Sequence, residues 1–209
     1  MRAAWPVLAA TLVLAACRGG ENATQGTAPV PPPAAIALFD SLEPLCGAAF
    51  AGAVAVDEPA GVDPAWQQTP LILSVRTCEP GIKALGLALG EDRSRVLLLV
   101  ATPDANVDLR VLNHADDGTE ATLSGYGGRG QAGAAPGEVE FPIEERSVAL
   151  FLREDQPARG ADARWLIAHD PERRLVFEER HEGRRLRVEF DLRIPVEPPP
   201  PPFIEAAVR

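Results

Sequence analysis

The sequence is poor in aromatic residues, which make up 5% of its 209 residues and include a single Tyr. No internal apolar run reaches the roughly 20 residues that a membrane-spanning helix needs. Basic residues are outnumbered, since 20 Lys and Arg stand against 30 Asp and Glu and give a net charge of −10. This balance argues against nucleic acid as a partner, because neutralising phosphates requires a basic surface. Gly and Pro are abundant instead, at 18 and 21 residues, which is atypical of a helical bundle.

The first 16 residues have the composition of an export signal. Arg2 supplies a positive start, and the stretch from Ala3 to Ala16 is apolar apart from Thr11. Such a stretch is too short to span a bilayer as a permanent helix. It ends in Leu14-Ala15-Ala16-Cys17.

This ending resembles the lipobox of a bacterial lipoprotein signal peptide, in which Leu and two small residues precede a Cys. The resemblance implies cleavage before Cys17, a diacylglycerol thioether on its sulfur, and an acyl group such as palmitate on the new amine. Arg18 follows, where an Asp would resemble an inner-membrane retention signal. We therefore expect a protein whose partner is the membrane itself, namely the outer membrane, to which an N-terminal lipid anchor attaches it.

If Cys17 carries the lipid, two cysteines remain, Cys46 and Cys78. An exported protein lies in an oxidising compartment, where pairs of cysteines form disulfides. A disulfide between them is expected, and in the chain-entropy model its loop of about 33 residues is worth roughly 3–4 kcal/mol. Two buried free thiols are the alternative. A metal pair is disfavoured because neither Cys lies in a CxxC motif. We predict no metal site and no cofactor.

Composition divides the chain into four segments. They are a signal peptide (1–16), the lipidated Cys with a Pro- and Gly-rich tether (17–37), a β domain (38–197) and a Pro-rich tail (198–209). The five prolines from Pro198 to Pro202 predict a polyproline II segment that ends the domain. The residues after them either fold back or remain loose.

A period of two dominates the β domain, which is typical of strands. It is clearest over 185–193, where apolar and charged side chains alternate in the way expected of a strand with one buried and one solvated face. The candidate strands are 49–56, 71–77, 82–89, 95–101, 107–114, 119–126, 137–141, 163–169, 174–180 and 185–193.

Tight turns join these candidate strands. Hairpins are predicted at Asp116-Asp117-Gly118, Asp170-Pro171-Glu172 and Glu182-Gly183. Helical spacing occurs only over Leu38–Gly47 and Glu144–Glu154. The predicted fold class is therefore mainly β, an antiparallel β-sandwich or barrel-like domain of roughly 8–10 strands with one or two short helices.

The glycine-rich segment from Gly125 to Gly130 matches GxGxxG, but no helix follows it. A dinucleotide site is therefore disfavoured, because the pyrophosphate would lack a helix N-terminus. A mobile surface loop is the simpler interpretation. The alternative is a loop at the rim of a ligand pocket, with Tyr126 and Arg129 as polar contacts.

His114, Asp116 and Asp117 are the other candidate ligand-binding residues. They could hold a cation, or His114 could act as a base beside Ser124. The simpler interpretation is that Asp-Asp-Gly forms a turn and His114 ends a strand. Because nothing in the sequence supplies an oxyanion hole, we assign no catalytic residue and favour a non-catalytic protein.

Charge runs on the last predicted hairpin allow two interpretations. Opposite charges at Arg173-Arg174, Glu178-Glu179-Arg180 and Arg184-Arg185 suit cross-strand pairing on a solvated face. The same arginines could instead dock on an anionic surface, although the glutamates between them weaken this reading.

Three functions stay open. The first is an envelope lipoprotein with a binding domain, whose partner would be an envelope protein or peptidoglycan. The second is a lipid- or small-ligand-binding barrel, and the third is an envelope hydrolase. The spacing of Cys46 and Cys78 and the segment from His114 to Gly128 are similar to uncharacterised lipoproteins of Gram-negative bacteria. That resemblance implies a single exported domain and no particular chemistry.

Overall fold

The computed structural model describes residues 33–204, so the signal peptide, Cys17 and most of the tether lie outside the described part. Within that part no helix is long and apolar enough to cross a membrane. Eleven strands form one sheet. The strands are β1 (Ala49–Glu58), β2 (Leu71–Glu79), β3 (Ile82–Leu89), β4 (Asp92–Thr102), β5 (Asn106–Asn113), β6 (Tyr126–Arg129), β7 (Gln131–Ala132), β8 (Glu138–Pro142), β9 (Arg164–Asp170), β10 (Arg174–His181) and β11 (Arg184–Val196). The helices are α1 (Ala34–Ser41), α2 (Ala65–Gln68), α3 (Glu145–Arg153) and α4 (Pro157–Gly160), with a 3-10 turn at Glu43–Leu45.

The sheet is an antiparallel meander that curls into a nearly closed barrel. Neighbouring strands in the sheet are also consecutive in sequence, except that β1 pairs with β11. β6 pairs with β5, whereas β7, one residue later, pairs with β8. An isolated bridge between Gly128 and Ile143 joins the two edges. The predicted mainly β fold class is confirmed, in its barrel-like form.

Two glycines allow the barrel edges to meet. A Cβ on Gly128 would overlap the carbonyl oxygen of Pro142, and a Cβ on Gly127 would overlap that of Leu109. The N–H of Glu144 donates to the carbonyl oxygen of Gly127 over 3.1 Å. The seam therefore needs residues without side chains, because the two backbones pass closer than a Cβ permits.

Apolar side chains fill the barrel interior. Along β11, Leu186, Val188 and Phe190 point inward and are buried, as their alternation predicts. The interior also holds large rings that are almost inaccessible to solvent, namely Tyr126, Phe141, Phe151, Trp165, Phe177 and Phe190. Each fully buried ring of this kind is worth roughly 2–3 kcal/mol of transfer free energy. The barrel is thus a packed core.

The predicted strand over 119–126 is wrong. The turn at Asp116-Asp117-Gly118 does form, because the N–H of Ala115 donates to Thr119 O over 2.8 Å. Beyond it, pairing amounts to one bridge, between His114 and Glu120. Ala121 and Leu123 do alternate with polar residues, but Gly125 has φ +74°, a left-handed conformation that interrupts an extended strand. The strand therefore begins at Tyr126.

The folded domain extends beyond the predicted boundaries of 38 and 197. Helix α1 starts at Ala34, and Ala35 is already buried against the core, so the last predicted tether residues are helical. At the other end, Arg76 and Arg93 donate to the carbonyl oxygens of Pro199 and Pro201 over 2.5 and 2.8 Å. The tail therefore folds back over the sheet, because its carbonyls and its side chains both find partners there.

The predicted disulfide between Cys46 and Cys78 is confirmed, with a Cα–Cα distance of 6.1 Å. It ties the residue after the 3-10 turn to the end of β2. The alternative of two free thiols is excluded.

Candidate functional site

The structure separates Tyr126 from Arg129. Tyr126 is 2% exposed and stacks in the core, with its ring 5.0 Å from Phe151 and 5.5 Å from Trp165. Burial raises the pKa of its hydroxyl. Arg129 is exposed at the far end of the same short strand and forms an ion pair with Asp104. Residues three apart on a strand face opposite sides, so these two side chains do not share a pocket.

The structure also separates His114 from the two aspartates. His114 is buried, and its Nδ1 has no hydrogen-bond partner among the described residues, whereas Asp116 and Asp117 are exposed. Asp117 accepts the N–H of Thr119 over 2.8 Å, which lowers the pKa of Asp117. Ser124 Oγ accepts the N–H of Asn113 over 3.0 Å. These contacts are those of a hairpin turn.

Nowhere in residues 33–204 do three or more His, Cys, Asp or Glu side chains gather as a metal site would require.

A Ser–His contact that the sequence did not indicate joins α1 to β9. His169 Nδ1 lies 2.7 Å from Ser41 Oγ, and that hydroxyl donates to Leu38 O over 2.7 Å. With its own proton engaged, the hydroxyl accepts from His169, so Nδ1 carries the ring proton and Nε2 is bare and buried. A serine hydroxyl whose proton is held by a carbonyl is not activated as a nucleophile. The contact docks a helix.

Burial makes His169 a source of acid sensitivity. Desolvation lowers its pKa below the ordinary value of about 6.5. The unfolded chain therefore takes up a proton as the pH falls below about 6.5 while the folded chain does not, and the folded state loses stability. His169→Gln should flatten the fall in unfolding free energy between pH 7 and pH 5, measured by urea denaturation. His181→Gln, at an accessible turn, is the matched control. An unchanged pH profile in His169→Gln would contradict this account.

No family model, curated protein or solved structure matches this chain.

The larger grooves lie on the outside of the barrel. One, of about 450 Å³, lies beside the folded-back tail, and another, of about 380 Å³, lies between α3 and the loop before β6. The third, of about 490 Å³, runs between β1 and α2, and we call it the edge groove. It is lined by Gly52, Ala53, Val54, Ala55, Asp57, Trp66, Gln67, Thr69 and Leu71.

The edge groove exists because β1 extends beyond the point where its pairing with β2 ends. Pairing of β1 with β2 stops at Gly52 opposite Leu71, whereas pairing with β11 continues to Glu58. On the β2 side, residues 53–58 have no strand partner in the described part of the chain. The result is a free strand edge, whose backbone donors and acceptors face the groove.

The groove has an apolar floor and a fixed far end. Trp66 and Leu71, both buried, belong to the core. At the far end Asp57 accepts the N–H of Gly61 over 3.0 Å and the Nε2 of Gln67 over 2.5 Å. The hydrogen bond from Gly61, with the ion pair to Arg184, keeps the pKa of Asp57 low. These contacts tie the loop after β1 and helix α2 to Asp57 at the end of the strand.

Sequence reasoning missed the free edge because it depends on the register between strands. The available signal was the predicted ends of the two strands, which set their lengths but not their alignment.

Proposed function

We propose that this chain is a lipid-anchored protein of the bacterial cell envelope whose barrel is a non-catalytic binding domain. We further propose that an envelope protein partner adds an extended segment to the free edge of β1. The lipobox at Leu14–Cys17 supports the anchor. The unpaired edge beside the edge groove is the observation that carries the binding role.

An extended segment fits this edge chemically. Backbone N–H and C=O groups along a strand edge are matched in register by another strand, which is how many domains bind peptides. The exposed side chains of the edge, Ala53 and Ala55, are small, so they present little obstacle to an added strand. Trp66 and Leu71 give the incoming side chains an apolar floor.

The other two functions have less support. A ligand-binding barrel needs an internal cavity, whereas core rings occupy this interior. A hydrolase needs an activated nucleophile, and the contacts of Ser124 and Ser41 engage both hydroxyls in structural hydrogen bonds.

Photo-crosslinking in cells tests the binding role. A photoreactive residue is placed at Ala53 or Ala55 of the full chain. Both positions should capture the same partner, and the captured residue should shift by two along the partner, because paired strands advance together. Ala158, exposed on helix α4 and away from any strand edge, is the control position. Absence of an adduct, or captured residues that do not shift, would count against strand addition.

Cys17→Ser separates the anchor from the binding role in the same experiment. The unmodified chain should be found in the membrane fraction, and the variant in the soluble fraction, because it cannot be acylated. The adduct at Ala55 should weaken in the variant, since the partner is no longer concentrated on the same membrane. A variant that still fractionates with membranes would rule out the Cys17 anchor.

A further inference from the structure

Arginines line up across three strands on the outer face of the barrel. Arg164 on β9 is in register with Arg180 on β10, and Arg180 is in register with Arg185 on β11. Arg187 follows on the same face of β11, opposite Glu178. We call these four arginines, together with Glu178, the arginine cluster.

Glu178 lies beneath the guanidinium groups and is 0% exposed. Arg185 Nε and Arg187 Nη1 each lie 3.2 Å from its carboxylate, and Arg180 also donates to it. Burial alone would raise the pKa of Glu178, but the hydrogen bonds from Arg185, Arg180 and Arg187 outweigh it and lower the pKa. The carboxylate of Glu178 therefore stays charged although it is buried. The groups that solvent contacts at this place are the arginines.

The arrangement leaves donors unused. Like charges directly opposite each other on neighbouring strands destabilise a sheet, and one carboxylate cannot occupy every N–H of the group. In residues 33–204 both terminal nitrogens of Arg180 make no hydrogen bond, and Arg164 forms no ion pair. A guanidinium with a free pair of N–H groups matches the geometry of a phosphate.

Two further carboxylates border the cluster. Glu58 lies 4.0 Å from Arg185, and Glu189 is shared between Arg187, at 3.1 Å, and Arg174, at 2.7 Å. Among the residues of the cluster and its named neighbours, five arginines stand against three glutamates. The chain as a whole has a net charge of −10, so the rest of the surface is correspondingly acidic.

We infer that the arginine cluster docks on the phosphate headgroups of an anionic phospholipid membrane. This inference rests on the proposed lipid anchor, which would hold the domain near such a surface. The outer face of a sheet is open, which suits a bilayer better than a single small anion that needs enclosure. The acidic remainder of the chain would be repelled by the same membrane, so the domain would settle with this face down.

Vesicle sedimentation tests this docking without the anchor. The probe is the chain from Arg18 onward, because its core, sheet and disulfide all lie within residues 33–204. At low ionic strength it should sediment with vesicles containing phosphatidylglycerol and not with pure phosphatidylcholine. Raising the salt should release it, since exposed charges are screened. Equal binding to neutral vesicles, or none to anionic ones, would overturn the inference.

Matched variants locate the interaction. Arg180→Gln with Arg185→Gln should lower the partition coefficient roughly thirtyfold, because each arginine at an anionic surface contributes about 1 kcal/mol. Arg146→Gln with Arg153→Gln, on α3, changes the net charge equally and should leave the partition coefficient within about twofold. Equal losses in both pairs would mean that overall charge, rather than this face, decides binding.

A further variant tests whether a loss of binding in the Arg180→Gln, Arg185→Gln variant could come from unfolding. Arg164→Gln removes a cluster arginine without an ion-pair partner, so the fold should be unaffected and binding should fall severalfold. If inorganic phosphate displaces the chain from vesicles when sodium chloride of equal ionic strength does not, the cluster is a site for free phosphate and the membrane proposal fails. None of these outcomes alters the crosslinking result, so failure here is distinguishable from failure of the proposed function.

Discussion

Replacing Gly128 with alanine is expected to lower the free energy of unfolding by about 3 kcal/mol or more. The new methyl group would overlap the carbonyl oxygen of Pro142, and backbone cannot move aside as a flexible side chain can. The strands that meet at the seam would have to separate, breaking the bridge between Gly128 and Ile143. Urea denaturation measures the loss, and hydrogen exchange should show faster exchange along β6.

Gly81→Ala is the matched control for this substitution. Gly81 has φ +80° and open space where a Cβ would be placed, so the change costs only the left-handed strain of about 1–2 kcal/mol. Exchange along β6 should stay slow in this variant. If Gly128→Ala costs no more than Gly81→Ala, the barrel is not held at this seam.

Removing the disulfide is the second change with a large expected effect. The double variant Cys46→Ser, Cys78→Ser should lose roughly 3–4 kcal/mol, because the unfolded chain regains the entropy of its closed loop. The bridge spans a sequence separation of 32 residues that includes all of β1 and most of β2. Urea midpoints of the oxidised chain, the reduced chain and the double variant measure the effect.

The reduced chain serves as the internal control, since it has both sulfurs but no bond between them. It should unfold at the same urea concentration as the double variant. A reduced chain as stable as the oxidised one would show that the core alone holds β2 in place, and that the entropy argument does not apply.

Much of the barrel could be predicted from alternation and turn chemistry. The alternation along β11 is read correctly because each apolar residue lies on the buried face. The turn at Glu182-Gly183 is likewise correct, since His181 pairs with Arg184 across it. The seam strand could not be found, because a glycine-rich strand has no side-chain pattern and is recognised only by the backbone that passes against it.

The candidate sites depend on register, which a single sequence does not contain. The free edge of β1 exists because Gly52, and not a later residue, lies opposite Leu71. The arginine cluster exists because Arg164, Arg180 and Arg185 fall in one row across three strands. Moving one strand by one residue would place its charged side chains on the other face. The runs of charged residues were visible in the sequence, but the burial of Glu178 among the arginines was not.

The folded-back tail makes the solubility of the domain depend on residues whose composition is that of a linker. Ile204 is buried against Ala84 and Val96, in a small apolar cluster on the outer face of β3 and β4. Pro202 lies against Gly86, where a side chain would leave it no room. A chain that ended at Val196 would present this apolar face to water, and such faces drive self-association. The proline-rich tail, with Ile204, thus covers an apolar part of the outer barrel surface that would otherwise promote self-association.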